Sequence, residues 1–286
     1  MRSVSVIGLG VMGTELARVL IENGYAVTVW NRSPEKARPH VEAGATPAKT
    51  PFDAIRASDA TITCIRTHSD TRALLEAEPA ALKGKTIIEL STGDAGEAES
   101  LMKWIQANDA DCLIGMISVF PKGIGQPDSA ILTIGPRRAW GDCEPVLKTL
   151  AGKSAYIGDN PKALAAIYAS LVLPRQGFMF GMIYGALICE KAGVSMEAYV
   201  EQLPLTIKVV HDYFDLFAAT VPSGNFADPP ASMGTYYAAF QDVLNTCRDL
   251  GAPDEMPRLL HYLLKRGIDA GLADQQITAL TKVMRA

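Results

Sequence analysis

Residues 3–13 read SVSVI-GLGVMG, an apolar stretch running into glycines at positions 8, 10 and 13. Ser3 to Ile7 has the composition of a buried strand, and Thr14 to Asn23 puts Leu16, Val19 and Leu20 on one helical face before Gly24. The GxGxxG spacing therefore sits between a strand and a helix, the context that gives this pattern its meaning. Gly8 permits the tight turn, Gly10 lets backbone approach a pyrophosphate, and Gly13 lets helix pack closely on strand. Leu9, Val11 and Met12 complete the turn, and the helix N-terminus supplies amide donors and a positive dipole end. This is the entrance of a doubly wound dinucleotide-binding domain.

The next strand, Tyr25 to Trp30, ends in Asn31-Arg32-Ser33-Pro34-Glu35-Lys36. A site selective for NAD carries a carboxylate here for the ribose 2′-hydroxyl. Asn31 stands in its place. Arg32 can stack on adenine and pair with a 2′-phosphate, Ser33 can bond that phosphate, and Lys36 adds charge. NADPH is the expected cofactor. Ser33 to Ala43 is expected to be helical, with Ser33 as N-cap and Pro34 at the first position.

Outward from this point strands and helices alternate. Short strands are expected at Ala60 to Ile65, Thr86 to Leu90, Cys112 to Val119 and Ala130 to Gly135. That alternation implies a mainly parallel sheet covered on both faces. Ligands gather at the carboxyl ends of such strands. Cys64, Ile65, Arg66 and Thr67 are therefore expected to flank the cofactor, although Arg66 reads equally as a solvated loop residue. His68, alone in a loop, is expected to be exposed and idle.

From Pro161 the strand signal stops. Segments 163–192, 195–219, 232–250, 254–270 and 273–285 read as helices, and Pro/Gly-containing loops separate several of them. The chain is thus an α/β Rossmann domain, 1–160, followed by an all-helical domain, 161–286, whose first part, 161–192, is a long interdomain helix. Ala163 to Cys189 is largely apolar, but Pro174, Arg175 and Gln176 interrupt it, so no run of about 18 apolar residues supports a membrane span. The expectation is a helix buried on all sides, about 43 Å long from Ala163 to Lys191 at 1.5 Å per residue, with a partner subunit as its simplest cover.

The 286 residues are 48% hydrophobic and 20% charged, with 27 Lys+Arg against 31 Asp+Glu and a net charge of −4, which excludes a strongly basic nucleic-acid binder. Five cysteines without a CxxC pair argue against a disulfide framework and a cysteine-rich zinc site, and no metal is expected. No secretion-signal pattern precedes the first strand, so the expected compartment is the cytoplasm.

GLGVMG, VTVWNRSPEKA (27–37), LSTG (90–93), the stretch 115–125 leading into AILTIG, and YIGDNPKALAAIY (156–168) together resemble the β-hydroxyacid dehydrogenase superfamily. Within it the chain is most similar to imine reductases, including reductive aminases. Hydroxyacid dehydrogenases of that superfamily carry a catalytic lysine near the start of the long helix and an asparagine one turn later. Those positions fall on Tyr168 and Val172 here, and Ser118-Val119-Phe120-Pro121-Lys122 replaces their glycine-rich substrate loop. Imine reductases lack that lysine and commonly have Tyr or Asp in its place.

The resemblance implies hydride transfer from NADPH to the C=N bond of imines or iminium ions. Tyr168 would donate a hydrogen bond or proton, and Thr92 would lie near the nicotinamide. By residue chemistry alone Tyr168 reads first as a packing tyrosine, and Thr92 equally as a turn cap. The resemblance further implies a homodimer whose active sites lie between one subunit's nucleotide domain and the other's helical domain. Ser118, Val119, Phe120, Met179, Met233, Tyr236 and Tyr237 are expected to line its substrate pocket, which would take a small-molecule imine or its carbonyl and amine precursors. Two alternatives stand beside this: a 3-hydroxyisobutyrate-like β-hydroxyacid dehydrogenase with altered catalytic residues, and a non-catalytic NADPH-binding module.

Overall fold

A computed structural model describes residues 3–285. Eight strands form one sheet: β1 (Ser3–Ile7), β2 (Ala26–Trp30), β3 (Thr46–Pro47), β4 (Ala60–Thr63), β5 (Thr86–Glu89), β6 (Asp111–Ile117), β7 (Ile131–Ile134) and β8 (Ala155–Tyr156). Their order is β3-β2-β1-β4-β5-β6-β7-β8; every neighbouring pair is parallel except β6 with β7. The chain winds outward from β1 to β3, then returns to place β4 on the other side of β1. This reversal opens a crevice at the carboxyl ends of β1 and β4.

Six helices cover the sheet: α1 (Val11–Glu22), α2 (Arg38–Glu42), α3 (Pro51–Ala57), α4 (His68–Leu75), α5 (Ala95–Ala107) and α6 (Arg137–Leu150). Successive strand side chains point to opposite faces. Ile88 and Leu113 join Leu16 and Leu20 of α1 and Leu147 of α6 in one core, while Ile87, Cys112 and Ile114 join Ile55 of α3 and Leu101 and Ile105 of α5 in the other. Both faces of the sheet are therefore apolar, which is why its strands read as continuous hydrophobic runs.

Five helical segments follow: α7 (Pro161–Lys191), α8 (Met196–Ser223), α9 (Met233–Leu250), α10 (Glu255–Asp269) and α11 (Leu280–Met284). Compactness divides the chain between Val172 and Leu173, inside α7. In the second unit α9 packs on α10 around Phe226, Met233, Leu264 and Ala279.

Three expectations change. Ser33 does not cap a helix: a 3₁₀ turn, Pro34–Ala37, precedes the short α2, and no side-chain cap bond forms. The segment 273–285 is not one helix. The carbonyls of Ala273 and Gln275 accept from Gly234 and Met233, and the Gln276 amide donates to Phe226, so this backbone is used between segments and only 280–284 is α-helical. Finally, α7 is not buried in the single chain. Pro174 lies inside the helix without ending it, and Leu164 is its only buried residue. By length and composition α7 passes the test for a bilayer span, with a mean hydropathy of 1.3. Phe180 is 53% exposed, and on α8 Leu205, Val209 and Phe214 are also exposed.

Candidate active site

The glycine turn is built as its spacing requires. Gly8 has φ +96°, and a side chain there would overlap the Cys64 carbonyl and the Ile65 side chain. A methyl on Gly13 would overlap the Gly8 carbonyl. Gly10 differs: it caps α1 in extended conformation, and no protein atom lies within 4 Å of where its Cβ would be. Gly8 and Gly13 are fixed by protein packing, whereas Gly10 faces open space at the helix N-terminus. That space fits a pyrophosphate held by the amides of the first turn. Leu9 is buried beneath the turn, Met12 is half-buried and Val11 is 74% exposed.

Asn31 has a role beyond leaving out a carboxylate. Its Oδ1 accepts from the Leu9 amide at 2.9 Å and its Nδ2 donates to the Ser33 carbonyl at 3.1 Å. The side chain thus ties the glycine turn to the end of β2 and sets the spacing between them. Arg32 and Lys36 are exposed, and among the described residues neither has a carboxylate within 4.0 Å. The Ser33 hydroxyl caps nothing. Arg32, Ser33 and Lys36 are left uncommitted beside the turn, a donor set suited to a 2′-phosphate.

The two neighbouring loops are joined. Thr67 and Thr92 form an isolated parallel bridge, the His68 amide donates to the Thr92 carbonyl at 3.1 Å, and the Ile65 amide donates to Ser91 Oγ at 3.0 Å. Thr67 caps α4 by accepting from the Asp70 amide. Arg66 makes a two-pronged ion pair with Asp70, at 2.8 and 3.0 Å, and is 83% exposed, so its charge is already engaged. Burial and the nearby Glu89 push the Cys64 thiol up to about 12, so it stays protonated at neutral pH. Thr92 is exposed, and it is not the helix cap: Asp94 fills that role, accepting from the Glu97 amide.

His68 reverses its expectation. It is buried, and its Nδ1 lies 2.9 Å from Oε1 of the fully buried Glu89. Thr63 Oγ1 and the Ser91 amide also donate to that carboxylate. Sequence reasoning gave Glu89 no role; the available signal is a carboxylate inside the strand TIIEL, residues 86–90.

Tyr168, on α7, is 49% exposed, and its hydroxyl has no hydrogen-bond partner among the described residues. At the carboxyl end of β6, the Ser118 Oγ is buried without a partner, Val119 is half-buried and Phe120 is 76% exposed. In the helical unit Met179 is exposed, and Tyr236 and Tyr237 are half-buried. Met233 has no exposed surface and fills the notch over Gly267, a core role in place of the expected pocket position.

Two family models match end to end: "NAD binding domain of 6-phosphogluconate dehydrogenase" over residues 3–158, and "NADPH-dependent reductive aminase-like, C-terminal domain" over residues 162–286. Among solved structures, an imine reductase from Pseudomonas sp. is 31% identical with a TM-score of 0.90, and the match covers 99% of each chain. A reductive aminase from Aspergillus terreus in complex with NADPH and ethyl-5-oxohexanoate is 27% identical with a TM-score of 0.91, over 100% of each chain. An NADPH-dependent reductive aminase of Aspergillus oryzae is 24% identical over 287 residues, 99% of this chain and 97% of its own length. With a glycine turn open to a pyrophosphate, uncommitted basic groups beside it and end-to-end likeness to such enzymes, the chain belongs to the imine reductase and reductive aminase family, built on the NAD-binding domain of 6-phosphogluconate dehydrogenase.

Proposed function

We propose that this chain is an NADPH-dependent oxidoreductase that reduces the C=N bond of imines and iminium ions, including those formed from a carbonyl compound and an amine. The observation that carries this is the pairing of a 2′-phosphate donor set, Arg32, Ser33 and Lys36, with a tyrosine where alcohol-oxidising relatives need a lysine. Alcohol oxidation requires a base to remove the hydroxyl proton. An iminium is already electrophilic and requires none.

The amides of the Gly8–Gly13 turn would hold the pyrophosphate, Arg32 would stack on the adenine, and Ser33 and Lys36 would bond the 2′-phosphate. The Cys64–Thr67 loop would flank the cofactor through its backbone, with Arg66 paired to Asp70. When bound, the reduced nicotinamide supplies a hydride from C4. The Tyr168 hydroxyl donates to the substrate nitrogen, and Thr92 orients that nitrogen or the carboxamide. A neutral imine thereby gains a hydride at carbon and a proton at nitrogen and leaves as the amine.

The apolar faces of α7 and α8 support a homodimer, with Ser118, Val119 and Phe120 of one subunit and Met179, Tyr236 and Tyr237 of the other around each substrate. A lipid cover is disfavoured by Arg175 and Gln176, both exposed at mid-helix. All five cysteines are free, in keeping with the cytoplasm. Sedimentation at micromolar concentration should give a dimer with an interface above about 2,000 Å²; a monomer contradicts this part of the proposal.

The reaction is tested by following NADPH consumption with a cyclic imine and NADP⁺ reduction with 3-hydroxy acids. Turnover of the imine alone is expected. Turnover of the hydroxy acids alone points to a dehydrogenase, and no turnover with either points to a binding module.

A further inference from the structure

Glu89 and His68 lie outside the chemistry just described, yet they form a buried carboxyl group and its imidazole partner directly behind the loops that carry it. Glu89 has no exposed surface, and three segments converge on it. Thr63 Oγ1 donates from the end of β4, His68 Nδ1 lies at 2.9 Å from the start of α4, and the Ser91 amide donates at 3.2 Å from the turn after β5. The adjacent Ser91 Oγ accepts from the Ile65 amide and meets Thr71 Oγ1 at 3.3 Å. The imidazole also has a steric role. A side chain on Gly93 would overlap the His68 ring, so the ring lies directly against the backbone of the Thr92–Gly93 turn. The His68 amide meanwhile donates to the Thr92 carbonyl.

We propose that Glu89 and His68 are a positioning pair that sets the height of the Thr92–Gly93 turn over the cofactor site. This inference rests on the proposed role of that turn at the nicotinamide. Glu89 fixes the imidazole with Nδ1 as donor, and the imidazole supports the turn from below. Neither residue contacts the phosphate-binding groups, which lie at the ends of β1 and β2. Loss of the pair therefore moves Thr92 without weakening the hold on the cofactor. A displacement of about 1 Å at such a position costs on the order of 100-fold in rate.

The test compares His68→Leu, His68→Asn and Glu89→Gln in the full-length protein. Three readouts are taken: amide hydrogen exchange at residues 90–93, the NADPH dissociation constant from nicotinamide fluorescence, and kcat on a cyclic imine. For His68→Leu the account expects faster exchange at 91–93, kcat lower by about 10- to 100-fold, and an NADPH dissociation constant within about threefold of wild type. His68→Asn can present an amide N–H where Nδ1 stood and should recover most of both losses.

Unchanged exchange at 91–93 in His68→Leu overturns the proposal, as does a loss of kcat that His68→Asn does not relieve. If His68→Leu does not fold, Glu89→Gln decides. It keeps the side-chain shape but replaces the carboxylate acceptor of His68 Nδ1 and the Ser91 amide by a weaker neutral amide oxygen, so it should speed exchange at Ser91 in a folded protein; no change there overturns the proposal. A wild-type protein that binds NADPH but reduces no imine refutes the proposed reaction, while the exchange measurements still decide whether the pair sets the turn.

Discussion

Tyr168→Phe should lower kcat on a neutral cyclic imine by about 10²- to 10⁴-fold, the range that general acid assistance contributes. It should have a much smaller effect on a permanent N-alkyl iminium. The substitution keeps the ring and removes only the hydroxyl. That hydroxyl is free of protein partners, and the side chain is half exposed, so no internal hydrogen bond is lost with it. Stability should change little, and any loss of rate is attributable to the donor. A neutral imine must gain a proton at nitrogen during reduction; an N-alkyl iminium carries its charge already. The informative quantity is the difference between the two substrates. Equal losses on both, or no loss on either, remove Tyr168 as proton donor and direct attention to Thr92 or to the helical unit of the partner subunit.

The second large effect is on cofactor choice. Arg32, Ser33 and Lys36 should favour NADPH over NADH by about 1–3 kcal/mol, because charge-assisted bonds to the 2′-phosphate are absent with NADH. This corresponds to roughly 5- to 150-fold. Arg32→Ala should raise the KM for NADPH far more than that for NADH, which loses only the stacking on adenine. Arg32 is exposed and makes no ion pair among the described residues, so its removal breaks nothing in the fold. Asn31→Ala should behave differently. Its amide joins the Leu9 N–H to the Ser33 carbonyl, so its loss loosens the turn itself and should raise the KM for both cofactors. Equal KM values for NADPH and NADH in the wild-type protein contradict the assignment of this donor set.

The difference between Arg32 and Asn31 shows what the sequence does and does not disclose. The glycine turn, β1, β2 and the basic groups after β2 were legible because each depends on near neighbours: a spacing of two and three residues, an alternation, a helix start. The second role of Asn31 was hidden because its partner, Leu9, is 22 positions away. The same reason conceals the His68–Glu89 pair, 21 positions apart. A histidine after a strand reads as a loop residue until the topology lays β5 beside β4. The segment 273–285 was misread because its helical pattern takes no account of the backbone bonds that Ala273, Gln275 and Gln276 make to α9 and to Phe226. For α7, composition correctly gave a long apolar helix, but composition carries no information about what covers it. The pocket residues suffer from the same gap. Met233 has the chemistry of a pocket wall, and only its packing against Gly267 shows it to be core.

The central claim is direct hydride delivery to the carbon of a C=N bond, and isotope transfer tests it most directly. NADPH deuterated stereospecifically at nicotinamide C4 is incubated with the protein and a cyclic imine in ordinary water, and the product is analysed by mass spectrometry. With the transferable position labelled, the account predicts one deuterium per amine, located on the former imine carbon, and none when the opposite C4 position carries the label. Binding of the labelled cofactor with no deuterium reaching the amine from either position would contradict it.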